Sequence, residues 1–214
     1  MEIKNDEELA LAVEAVSDYL QSISNYLKDN PEKSAKFKFP RKYLNTVHNY
    51  QSKFSWIRNF YLSKNIAYHY QFIDVLRWIG NSTDLYGPVK NVLYKHAIVI
   101  SGSIAEAFVT ATAKKLEYVE SKFPGRIKRL NRDGIISNKL LADLNWLWDL
   151  RNGIHLHLIE ETEHESYKVS SVKKSFKIVK SLETELTDHF EQLDFEEYLE
   201  LQLELMEINP DSLL

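Results

Sequence analysis

The chain has 214 residues, no cysteine, and a formal net charge of −4 from 27 basic and 31 acidic side chains. A chain of this length makes one domain, or one domain with an appendage, and buries enough core to need no covalent staple. The missing cysteines exclude disulfides, thiolate metal sites and a cysteine nucleophile.

Six glycines and five prolines among abundant Leu, Glu, Lys and Ala predict an all-α chain. Asn5 or Asp6 caps a first helix that runs to about Asp29, with Leu9, Ala12, Val13, Val16, Leu20, Ile23 and Leu27 as its apolar stripe. Asn30-Pro31 ends it, and Glu32–Phe39 reads as a basic connector. Pro40 suits a first helical turn, so it is expected to open an aromatic-rich helix or helix pair over Arg41–Ile79. Gly80-Asn-Ser-Thr-Asp and Tyr86-Gly-Pro read as breakers.

A long helix follows from Val89 to about Glu120, with Ala97, Ser101, Gly102 and Ala105 on a face that allows close packing. Its least charged part, Ala97–Ala113, includes Ser101, Ser103, Glu106, Thr110 and Thr112, and falls short of the ~18 apolar residues of a membrane span. Phe123–Gly134 reads as a basic loop, with Lys122, Arg126, Lys128, Arg129 and Arg132 in or beside it. Ser137 to about His157 is predicted helical, Ile159–Ser170 a loop or short hairpin, and Val172 to about Gln192 helical, with Phe176, Val179, Leu182, Leu186 and Phe190 on one stripe. Leu199–Leu205 alternates with period two, but its Leu, Glu and Gln are helix formers, so it is read as helix. The start, MEIKNDEELA, has neither the basic residues nor the apolar run of a signal peptide, and the chain is expected to be soluble and cytoplasmic.

Charge is unevenly spread. Residues 181–214 hold eleven acids and no Lys or Arg, leaving 27 basic against 20 acidic residues over 1–180, a net of +7. A basic body suits a polyanion, and an acidic tail suits shielding of that surface or contact with a protein partner. Ordinary solvated helix faces would give the same asymmetry.

The densest cluster of chemistry is Leu150-Arg-Asn-Gly-Ile-His-Leu-His. On a helix Arg151 and His155 lie about 40° apart and share a face, whereas Arg151 and His157 lie about 240° apart and converge only if the helix ends between them. Gly153 weakens the helix there by about 1 kcal/mol relative to alanine. The group His155, His157, Glu160, Glu161 and His164 has no established metal-ligand spacing, and neither metal nor cofactor is expected.

Arg151, Asn152 and His157 resemble the signature of the HEPN superfamily, an arginine followed by a polar residue, with four to six residues between the arginine and a histidine near a helix end. The run Ile98-Val-Ile-Ser-Gly-Ser-Ile-Ala-Glu-Ala-Phe is similar to the core helix of that family, in which small residues lead to a glutamate, here Glu106. His155, with three residues between it and Arg151, falls outside the pattern. The resemblance covers about Val89–Leu186. It implies a HEPN-like helical bundle, assigned to 81–192; the extra N-terminal helices expected over 1–80 and the acidic helical tail over 193–214 lie outside it.

It further implies a homodimer with the two motifs facing each other, and in active members a metal-independent endoribonuclease, with a toxin or anti-phage defence setting by analogy. His157 would then be the general acid/base, Arg151 the phosphate clamp and Asn152 the orienting group, with His155 a neighbour of Arg151 or an alternative base. RNA would lie along Lys122, Arg126, Lys128, Arg129 and Arg132 if they flank the same cleft. The competing expectation is a non-catalytic HEPN-like module that dimerises and binds a nucleotide or, through its acidic tail, a protein partner or inhibitor. Glu106 alone reads as a helix-face acid paired with a basic residue, and Trp56, Trp78, Trp146 and Trp148 as core or interface anchors.

Overall fold

The computed structural model describes residues 2–40, 42–153, 167–190 and 200. Among them it contains seven α-helices and no strand, so the chain is all-α. It divides into two compact units, Met1–Arg41 and Lys42–Leu214. The division falls near residue 41 rather than 80, because the aromatic segment that follows packs with the body.

The first unit holds α1 (Asp6–Asp29). Asn5 caps it by accepting the Glu8 backbone N–H at 2.8 Å, and Glu8 reaches back to accept the Lys4 N–H at 2.9 Å. Three acids in the first turn and Lys28 in the last complement the helix dipole. None of its residues is buried.

The second unit begins with a short helix, α2 (Val47–Gln51), capped by Thr46 and continued as a 3₁₀ turn over Ser52–Phe54. Next comes α3 (Phe60–Ser82), opened by Asn59, which accepts the Leu62 N–H at 2.9 Å. The expected helix start at Pro40 is therefore corrected: the first helical turn after it is Val47, where a capping threonine supplies what proline cannot, an acceptor for a free N–H. Gly80, Asn81 and Ser82 do not break α3 but complete it, with Thr83 as the C-cap.

The central element is α4 (Gly87–Lys115), which contacts α3 and the three helices that follow it. Those are α5 (Phe123–Arg132), α6 (Asn138–Asn152) and α7 (Val169–His189). Ala97, Ser101, Gly102 and Ala105 are all buried on α4, and Ser101 meets Ser175 of α7 hydroxyl to hydroxyl at 3.4 Å. Small side chains let backbones approach, and Ile98, Ile104, Phe108 and Val109 fill the space beside them. By length and composition α4 does reach the threshold for a membrane span, contrary to expectation; half of its most apolar window is buried within the structure. Phe54, Trp56 and Phe108 form an aromatic centre, with Phe108 edge-on to Phe54 at 5.4 Å.

The basic segment after Lys122 is not a loop. Pro124 lies in the first turn of α5, where its missing N–H costs nothing, and Phe123, Ile127 and Leu130 bury one face at helical spacing. Ser137 opens α6 by accepting the Leu140 N–H at 3.2 Å. Its own N–H and hydroxyl donate to the Glu185 carboxylate at 2.7 and 3.0 Å, fastening the start of α6 to α7. Of the expected loop or hairpin over Ile159–Ser170, residues 159–166 lie outside the described residues, Tyr167 and Lys168 are irregular, and Val169 and Ser170 are already in α7. The tail over 193–214 is also outside them, Glu200 excepted.

Candidate functional site

Arg151 occupies the last turn of α6, Asn152 is its final residue, and Gly153 is the C-cap, donating its N–H to the Asp149 carbonyl at 3.1 Å. The described part of α6 ends at Asn152, and the expected continuation to His157 lies outside the described residues. His155 and His157 lie outside the described residues, as does the group of histidines and glutamates that ends at His164.

Three contacts hold Arg151. Its Nη2 lies 3.1 Å from Glu106 Oε2 on α4. Its guanidinium carbon sits 5.2 Å from the centre of the Trp148 ring, one turn earlier on its own helix. Its aliphatic stem lies against Gly102: a Cβ at that position would come within 3.0 Å of Arg151 Cγ and 3.2 Å of its Cβ. Gly102 and Glu106 are four residues apart on α4, so glycine leaves room for the stem where the next turn supplies the counter-charge. The Arg151 side chain remains 29% exposed and that of Glu106 38%, so the pair is accessible from solvent rather than sealed. Asn152 is exposed, and its Oδ1 is 3.4 Å from Arg151 Nη1.

Trp148 extends this seat. Its other ring contact is Phe123, stacked at 4.6 Å with an interplanar angle of 15°, so the first residue of α5 abuts the turn that carries Arg151. The five basic residues expected to form one RNA surface are divided by that helix. Arg126 is half-buried, donating from Nε to the Glu120 carbonyl and from Nη1 to Thr110 Oγ1, each at 2.9 Å. Arg129 pairs with Asp133 at 2.8 Å and lies over the Tyr118 ring. Hydrogen bonds from Tyr118 and Arg129 hold the Asp133 carboxyl below its ordinary pKa. Lys122, Lys128 and Arg132 are exposed, with Arg132 3.8 Å from the same Asp133. Two of the five are therefore held by partners on α4 and at the two ends of α5, and three face solvent.

A second polar cluster was not anticipated from the sequence. A cleft of about 360 Å³ is lined by residues of α2, α3 and α7, among them Tyr50, Tyr70, Asp74, Arg77 and Glu183. Asp74 and Glu183 are buried carboxylates, and each accepts a phenolic hydrogen bond, Asp74 from Tyr50 and Glu183 from Tyr70 at 2.8 Å. The two tyrosine rings stack at 4.9 Å. Burial, and then the hydrogen bond to Asp74, push the Tyr50 phenol up to about 12. Burial and the adjacent Glu183 push Tyr70 up as well. This arrangement stores protons on phenols and satisfies two buried carboxylates. Its partners are more than 100 residues apart in the case of Tyr70 and Glu183, so no local spacing announces them.

Comparison with protein-family models, with curated proteins and with solved structures finds no match for this chain.

Proposed function

We propose that the protein is a cytoplasmic, metal-independent endoribonuclease of HEPN type, acting as a homodimer. The observation that supports this most is the seating of Arg151 by Gly102 and Glu106, which unites the two stretches on which the resemblance rests. Arginine stays charged at all working pH values, and its planar donors suit the phosphoryl oxygens as negative charge builds in the transition state. Cleavage without a metal requires proton removal from the 2′-hydroxyl and donation to the leaving 5′-oxygen, both within the range of imidazole near neutral pH. His157 takes that role, with His155 as its neighbour and Asn152 orienting one of them or the phosphate. Two copies about a two-fold axis double the arginines and histidines available to one phosphate. A toxin or anti-phage setting is the biological counterpart of such an activity.

One observation favours a second reading. The Arg151 charge is already met by Glu106 and its face by Trp148, which suits a structural clamp closing the end of α6 in a non-catalytic dimeric module. In that reading the acidic tail engages a protein partner or inhibitor.

The two part on one experiment. Purified chain is incubated with mixed RNA in EDTA beside His157→Ala and Arg151→Ala. The nuclease reading expects cleavage by the native chain and a loss of at least about a hundredfold in His157→Ala, because a positioned acid/base contributes about 10²–10⁴. A loss below threefold discards the role of His157, and absence of cleavage by all three proteins leaves the module.

A further inference from the structure

A cleft of about 410 Å³ at the far end of α4 takes no part in the ribonuclease reading. Trp56, Ile57 and Leu62 give it an apolar floor, and its charged lining is Arg58, Lys114 and Lys115, all cationic. Among the described residues none of these three pairs with a carboxylate, in contrast to Arg129, Arg151 and Lys174 elsewhere on the body. Lys115 instead lies over the Phe190 ring, 4.2 Å from its centre, and Phe190 in turn stacks on Trp56.

Two further features point the same way. The cleft includes Asn59, the N-cap of the 23-residue α3, whose dipole offsets that of the α4 C-terminus at Lys115. Trp56 is 2% exposed, and its indole N–H is buried with no acceptor among the described residues. Such a donor is rare, because a buried N–H without an acceptor is costly. The Lys115 amine is lowered from its ordinary value by burial and then by the charge of Arg58, so these two cations crowd each other. An anion between them would relieve that repulsion.

We infer that this cleft binds the terminal phosphate of a small phosphorylated ligand, with Arg58, Lys114 and Lys115 around the phosphoryl oxygens and the carbon part against Trp56, Ile57 and Leu62. A terminal phosphate carries about −1.5 to −2 at neutral pH, which matches a cleft lined by three cations better than the single charge of a phosphodiester. The volume is within the range of small-molecule sites, roughly 300–1,000 Å³.

Isothermal titration of the full chain tests this with three probes at one salt concentration: phenyl phosphate, inorganic phosphate and dimethyl phosphate. Phenyl phosphate is expected to bind once per chain, inorganic phosphate several-fold more weakly for want of the apolar contact, and dimethyl phosphate at least about tenfold more weakly for want of charge. Arg58→Gln and Lys115→Gln each weaken phenyl phosphate about tenfold, whereas Lys139→Gln, outside the cleft, leaves it unchanged. In a ¹H–¹⁵N spectrum the indole signal that Trp56→Phe removes should shift on titration. No saturable binding at millimolar phenyl phosphate, equal binding by the two glutamine variants and native chain, or dimethyl phosphate binding as tightly overturns the inference. None of these readouts depends on RNA cleavage, so the result stands apart from the nuclease reading.

Discussion

Gly102→Ala sets two effects of known sign against each other at the seat of Arg151. Alanine in place of a mid-helix glycine stabilises a helix by about 1 kcal/mol. Here the added methyl would lie 3.0 Å from Arg151 Cγ, so the arginine stem must retreat by a few tenths of an ångström. Overpacking of this kind costs about 1–3 kcal/mol. In the native chain the two offset or leave a net loss of up to about 2 kcal/mol. In an Arg151→Ala background the 3.0 Å contact with Cγ is gone and only the 3.2 Å approach to Cβ remains, so most of the gain of about 1 kcal/mol should appear. Urea unfolding of the native chain, both single variants and the double variant, followed by helical circular dichroism, gives the coupling directly. It should be about 1–3 kcal/mol, with alanine favoured only where Arg151 is absent. If Gly102→Ala stabilises both backgrounds equally, the stem of Arg151 does not rest on Gly102 and the seat is wrong.

The remaining predictions concern proton storage and the core. Tyr50 keeps its proton to about 12 when folded against an ordinary 10.0, so the native state binds more protons than the unfolded chain between those values. Its contribution is complete below pH 10 and is lost as pH rises towards 12, by up to about 1.4 kcal/mol per pH unit. Thermal unfolding across pH 9–11.5 should therefore fall less steeply in Tyr50→Phe than in the native chain; parallel slopes would refute the raised pKa. Phe108→Ala, at 0% exposure between Phe54 and Trp56, should cost about 3–5 kcal/mol in urea unfolding. Leu11→Ala, at 61% exposure on α1, should change stability by no more than about 0.5 kcal/mol, and a larger loss would mean that this side chain is covered.

Much of the helical order was legible because its signals are local. Asn5 and Asn30 bracket α1 as a cap and a stop, and both ends fall where those residues put them. The small residues of α4 announced a close-packed face, and all four are buried. Proline misled in two places, since it tolerates both a loop and a first helical turn. At Pro40 the following residues do not bury a helical face until Val47, whereas at Pro124 the spacing of Phe123, Ile127 and Leu130 decided for helix. That spacing was visible, but the dense basic residues between its members masked it.

The site was legible only in part. Arg151 and Glu106 were both conspicuous, yet their meeting required Gly102 to be recognised as the space for an arginine stem. Arg126 and Arg129 looked like solvent-facing charge, and only the folded chain aims them at Thr110, Glu120 and Asp133. The cationic cleft joins Arg58 to Lys114 and Lys115 across more than fifty residues of sequence, and no periodicity links them.

The seat of Arg151 and the cationic cleft are built on one continuous helix. Gly102, under Arg151, and Lys115, at the cleft, are thirteen residues apart on α4, about 20 Å along its axis. The helix therefore acts as a ruler. Anything that touches both ends must match that span, and neither end can shift along the axis without carrying the other.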